Sequence, residues 1–274
     1  MCGIAGYSLS AESRIDRTLA AQTLLTAIAE RGSDAVGYAY REPSGDVVIH
    51  KQRTGASELL EAISIPDGAT QVLLHVRDYT KGHPSLAANN HPIRHGAVVG
   101  IHNGIIANDE EIFALHGFQR AEPGMTVDSE AIFALVEEAD DRRAALEELY
   151  GSMATAWLDD RIPEALFLAR GLGRPLWIGE GERETFFAST RDAFELLGGF
   201  CDVRLAKREL AEGSAVRLEH GRTTASVTFG LDRSFVEEQL PAVRAPGERF
   251  SCLERLALIT ERREASLGIS SVAR

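Results

Sequence analysis

Cysteine is scarce in this chain of 274 residues. There are three, Cys2, Cys201 and Cys252, with no close pair. An odd, sparse set excludes a disulfide scaffold and reads as a reduced, cytoplasmic protein. The eight histidines include no His-Glu-x-x-His and no Cys/His pair at ligand spacing. No metal site is indicated, and no cofactor is called for. Basic residues are in deficit: 29 Lys and Arg against 41 Asp and Glu, a net charge of −12. Wrapping nucleic-acid phosphates needs clustered cations, so nucleic acid is not an expected partner. No apolar run approaches the length of a membrane span. The N-terminus lacks the basic and apolar parts of a secretory signal. There is no internal repeat, no low-complexity linker, no P-loop and no Ser-Gly-Gly-x-Asp-Ser loop of the kind used in ATP pyrophosphate chemistry.

What remains is an ordinary globular composition, 44% hydrophobic and 26% charged, in a chain long enough to bury a substantial core. Periodicity predicts a strand over 2–9, a helix over 16–30 and a hairpin of strands 35–41 and 46–52. A short helix over 56–63 precedes an apolar strand, 71–77. A long polar segment, 78–95, is the kind of loop that carries function. A strand over 97–101 then runs into His102-Asn103-Gly104. Helices are expected over 108–116, 128–139 and 142–149. Strands follow at 151–158, 164–170, 174–179 and 184–189, then a helix over 191–197, a strand near 202–205 and a hairpin, 213–219 with 222–228. From Asp232 the character changes to helical, over 234–240 and 246–266. Strands grouped between helices suggest antiparallel sheets covered by helices rather than βαβ units.

Chemistry starts at the N-terminus, Met1-Cys2-Gly3-Ile4-Ala5-Gly6. Once Met1 is clipped, Cys2 carries a thiol nucleophile and a free α-amine, which can serve as its base. Taken alone, Cys2 reads equally as a small buried apolar residue. Three further segments decide the matter: Arg31-Gly32-Ser33-Asp34; His75-Val76-Arg77-Asp78-Tyr79-Thr80-Lys81-Gly82 with Asn90-His91-Pro92; and His102-Asn103-Gly104-Ile105-Ile106 followed by Val127-Asp128-Ser129. In this order, the four segments resemble the glutaminase domain of class II glutamine amidotransferases, within the N-terminal-nucleophile hydrolases. The likeness to the glutaminase half of glucosamine-6-phosphate synthase is particularly marked. It runs to about Thr228, which divides the chain into a glutaminase domain, 2–231, and a helical extension, 232–274.

The resemblance implies an α+β fold, a four-layer αββα sandwich of two antiparallel sheets. It implies that Cys2 attacks the side-chain amide of glutamine to form a γ-glutamyl thioester, which water then clears. Asn103 and Gly104 would form the oxyanion hole, although Asn-Gly in isolation reads as a tight hairpin turn. Arg77, with Thr80 beside it, would take the substrate α-carboxylate, a task that suits a guanidinium fork. Asp128 would hold the α-ammonium; its bland alternative is a helix cap. Arg31 matches an arginine near the nucleophile. His75, His91 and His102 are expected to be structural. Two departures stand out: Asp78 replaces an aromatic that gates the ammonia path in the resembled synthase, and Lys81 replaces a histidine. No acceptor domain is recognisable. Glutamine is the expected substrate and a separate acceptor subunit the expected partner, with a stand-alone amidohydrolase or an idle binding protein as alternatives.

Overall fold

A computed structural model describes residues 1–237 and 244–266 of the chain. Two sheets lie face to face. The first has seven strands: β1 (Gly3–Leu9), β2 (Ala35–Arg41), β3 (Val47–Gln52), β4 (Gln71–Arg77), β9 (Trp177–Glu180), β10 (Glu184–Ala188) and β11 (Ala206–Glu209), in the order β11-β9-β10-β1-β4-β2-β3. The second has six: β5 (Ile93–His95), β6 (Val98–Ile106), β7 (Gly151–Asp159), β8 (Ala165–Arg170), β12 (Ser214–Glu219) and β13 (Arg222–Thr228), in the order β13-β12-β8-β7-β6-β5. The paired strands are antiparallel throughout.

Helices cover both outer faces. On the first sheet lie α1 (Arg17–Ile28), α2 (Ala56–Leu59), α6 (Ala193–Cys201) and α7 (Pro246–Ser266). On the second lie α3 (Asp109–His116), α4 (Glu130–Glu138) and α5 (Arg142–Glu147). The result is the four-layer αββα sandwich. Each strand in its middle is covered twice, which is why β1 and β4 are buried at every position. Alternation then sorts their side chains. In β4, Val72, Leu74 and Val76 pack under the helices, while Leu73 enters the inter-sheet core with Ile4, Val99 and Ile101. His75 and Arg77 continue the inward-facing row.

Most expected elements stand where periodicity puts them, and the differences have physical causes. The strand expected over 97–101 extends to Ile106, so Asn103-Gly104 is no turn: it pairs in register with Ala154 and Met153 of β7. Asp128 lies two residues before α4, with Ser129 at the cap position. The strand expected near 202–205 is β11, at Ala206–Glu209, because Asp202 ends α6 in a left-handed conformation. Residues 234–237 are not helical, and 238–240 fall outside the described residues. Helix α7 packs on α1 and α2, with Cys252 and Leu256 fully buried in the same cluster as Leu24 and Leu25.

Candidate active site

The site forms where the N-terminal end of β1 meets the C-terminal end of β4 and the middle of β6. Register brings them together: Gly3 pairs with Val76, and Ala35 pairs with Arg77. Glycines permit the close approach. A Cβ on Gly32 would run into the Arg77 carbonyl, and one on Gly3 into Ile28, Val76 and Arg31. Cys2, Arg77, Thr80, Gly104 and Asp128 all line one cleft of about 230 Å³, open solvent included. The Cys2 thiol lies 3.4 Å from the Asp78 carbonyl oxygen. Burial pushes that thiol above its ordinary pKa, with Arg77 and the terminal ammonium pulling the other way. A thiol in this state needs a base.

Arg77 is buried and fully engaged. Its Nη1 donates to the Asn89 carbonyl and to Asn90 Oδ1 (2.5 Å); its Nη2 donates to the carbonyls of Lys81 (2.9 Å) and Gly82. All four acceptors are neutral. Among the described residues no carboxylate lies within ion-pair distance of it, so a buried positive charge stands without a counter-ion. Burial lowers its pKa, as expected for such a cation. An anion arriving at the cleft would meet an uncompensated field.

Asp128 is equally buried. Its Oδ2 accepts from the Ile106 N–H at 2.7 Å, tying it to the end of β6. Burial pushes its carboxyl up to about 6, with Asp109 adding to the effect. This bond to β6 corrects the helix-cap alternative. Ser129 beside it bonds His102 Nδ1 at 2.8 Å, and His102 Nε2 donates to the Ser152 carbonyl at 3.3 Å. His75 Nε2 donates across the sheets to the His102 carbonyl at 3.0 Å. Burial drives both imidazoles to about 3, so they stay neutral. The His75 ring bridges the two sheets, while the His102 ring ties β6 to β7 and to Ser129. His91 stacks on His75 at 4.1 Å, and neither of its ring nitrogens has a protein partner.

Asn103 is fully buried, and neither Oδ1 nor Nδ2 has a protein partner. A buried amide left without partners costs stability, and groups of that kind concentrate at functional sites. Gly104 follows at φ 149°, where a Cβ would strike the Ser152 carbonyl. The strand therefore bends its main chain at the oxyanion-hole candidate, where only glycine fits. Thr80 sits on the exposed rim.

Arg31 is better described as a neighbour of the nucleophile than as a ligand for substrate. Its Nε donates to the Cys2 carbonyl at 2.9 Å. Lys81 is tied to α3, within 2.7 and 2.8 Å of the two Asp109 carboxylate oxygens and 3.0 Å from Glu110. The sequence reading assigned no role to two residues. The Asp78 carboxylate pairs with the α-ammonium of Met1 and with Arg244. Asp78 registers in the sequence only as a departure from a pattern. Arg244, 166 positions away, carries no local signal at all. No group of His, Cys, Asp and Glu that could hold a metal occurs among the described residues, and no described helix is long and apolar enough to cross a membrane.

Comparisons with known proteins point the same way. Residues 73–196 match the family model described as "Glutamine amidotransferase domain". The chain is 35% identical over 231 residues to the glutamine–fructose-6-phosphate aminotransferase (isomerizing) of Caulobacter vibrioides, covering 80% of this chain and 36% of that one. It is 34% identical over 200 residues to the protein of the same name from Pseudomonas putida, covering 69% and 32%. It thus spans about a third of the length of these relatives. Glutamine phosphoribosylpyrophosphate amidotransferase from B. subtilis shares its fold, with a TM-score of 0.65 at 18% identity, over 84% of this chain and 49% of that one. The αββα sandwich, the matched glutamine amidotransferase domain and the sequence relatives lead to one conclusion: the chain belongs to the class II glutamine amidotransferases.

Proposed function

We propose that the chain hydrolyses the side-chain amide of glutamine through Cys2, releasing glutamate and ammonia, and that the ammonia goes to an acceptor on a separate protein. The observation that carries this reading is the convergence of the Cys2 thiol, the uncompensated Arg77 charge and the Asp128 carboxylate on one cleft. Glutamine carries a carboxylate and an ammonium at one end and an amide at the other. Arg77 suits the first group, Asp128 the second and Cys2 the third.

In this reading, removal of Met1 leaves the α-amine on Cys2. The amine takes the thiol proton as sulfur attacks the amide carbon. The carbonyl oxygen becomes an oxyanion, held by the Asn103 side-chain N–H and the Gly104 backbone N–H. Collapse of the intermediate returns the proton to nitrogen, expels ammonia and leaves the thioester. Water adds to the thioester, and glutamate departs. Asn103 supports this role because it has an amide donor committed to nothing else in the protein.

The test is the intact mass of the protein before and after treatment with 6-diazo-5-oxo-norleucine. The expected result is loss of Met1 and one adduct on Cys2, blocked by excess glutamine. No adduct on a processed Cys2 would overturn the reading.

A further inference from the structure

Asp78 has a buried carboxylate with two cationic neighbours. Oδ2 receives the α-ammonium of Met1. Arg244 forks over both oxygens, with Nη1 3.0 Å from Oδ1 and Nε 3.0 Å from Oδ2. The Asp78 backbone carbonyl is the group facing the Cys2 thiol. Asp78 therefore touches the thiol through its main chain and the chain terminus through its side chain.

Arg244 is aimed rather than adrift. Its own N–H and that of Ala245 donate to the Glu30 carbonyl at 3.3 and 3.0 Å. Helix α7 begins at the next residue and is seated by three further contacts. Glu248 Oε2 accepts the Ser57 N–H at 2.9 Å, and Arg249 pairs with Glu30 and Asp192. Residues 244–249 thus hold a cation at the start of the chain.

We propose that Arg244 is a positioning residue for glutamine hydrolysis: it holds and neutralises Asp78, so that the α-amine of Cys2 can act as a base. This rests on the function proposed above. A carboxylate beside an amine favours the ammonium form, and an ammonium cannot accept the thiol proton. A bidentate guanidinium cancels most of that field. The other charged groups facing the terminus are Arg77 at the end of β4 and Arg31 after α1, with Arg174 behind Arg31 and itself paired with Glu237. The Cys2 thiol lies one residue further along than the Met1 ammonium that the structure shows. Asp78 is the carboxylate paired with the Met1 ammonium, and removal of Met1 leaves the new amine one residue along the same chain end, so the neutralisation of Asp78 is what the proposal makes decisive.

The experiment uses full-length chain released from a cleavable fusion so that it starts at Cys2, as wild type, Arg244→Gln, Arg244→Lys, Asp78→Asn and the double variant Asp78→Asn/Arg244→Gln. Two quantities are followed with pH: kcat/KM for glutamine, and the carbon-13 resonance of the Cys2 α-carbon in cysteine-labelled protein. Arg244→Gln should move the acidic limb and the resonance titration upward by about one pH unit. Arg244→Lys should restore most of the wild-type position, and the double variant should remove the shift. An unmoved limb and resonance in Arg244→Gln, or a shift that persists in the double variant, overturns the proposal. If the wild type turns over no glutamine, the hydrolysis reading fails, while the resonance still decides whether Arg244 governs the amine.

Discussion

Asn103 separates catalysis from stability at the scale of one residue. Its side chain bonds to no described residue, so Asn103→Ala removes the proposed oxyanion donor without breaking a described bond. We expect kcat to fall by about 100- to 1,000-fold while the urea midpoint stays close to wild type. A large loss of stability would mean that the amide serves the fold instead. Asp128 offers the opposite signature. Its folded pKa is raised to about 6 from 3.8. For a carboxyl group raised in this way, the contribution to stability is present below the unfolded value and is lost as pH rises through the folded one. Asp128→Asn should therefore be more stable than wild type at pH 8, by about 1–3 kcal/mol, with the gain vanishing toward pH 4. The same change should raise KM for glutamine. In the wild type, KM should rise as pH falls below 6, because a neutral carboxyl no longer pairs with an ammonium. Thermal melts and steady-state kinetics across pH check both; a variant less stable than wild type at pH 8 would count against burial as the cause. The residue types at these positions were legible in advance. Their states were not, since the orphaned amide and the raised carboxyl depend on what surrounds them.

At the scale of elements, β6 and α7 are instructive. Asn-Gly is a strong local signal for a tight turn, and here the fold overrides it. Antiparallel pairing with β7 through Ile106 keeps the segment extended. Gly104 then serves close approach rather than chain reversal. Helix α7 belongs to the helical extension expected from Asp232 onward. Its apolar stripe is split in the structure: Leu256 and Cys252 are fully buried against the first sheet's helices, while Phe250 is 64% and Leu258 49% exposed. Leu256→Ala should lower stability by about 2–4 kcal/mol, read as a lower urea midpoint with unchanged slope. An appendage resting loosely on the surface would show almost no change.

For the whole molecule, the prediction concerns products. Hydrolysis at an isolated site releases ammonia into water, so the chain alone should yield glutamate and free ammonia in equal amounts. With the right acceptor protein present, glutamate should form at least as fast while free ammonia falls behind it. Equal release under every condition, with every candidate acceptor, would favour a stand-alone amidohydrolase. The position of Asp78 belongs to this scale as well. That position now joins the start of the chain to its C-terminal helix through Arg244.

By itself the sequence determined the double-sided burial of the strands, most of the helix positions and the candidate residues for the site. Those properties follow from local periodicity and from side-chain chemistry, which the order of residues carries directly. Only the tertiary structure decided that, among the described residues, Asn103 stands unpaired and Arg77 has no counter-ion, that Arg31 serves the Cys2 carbonyl, and that Arg244 reaches Asp78. Each of these is a contact, or the lack of one, between segments far apart in the chain. No local pattern encodes such a distance; packing two sheets and their covering helices creates it.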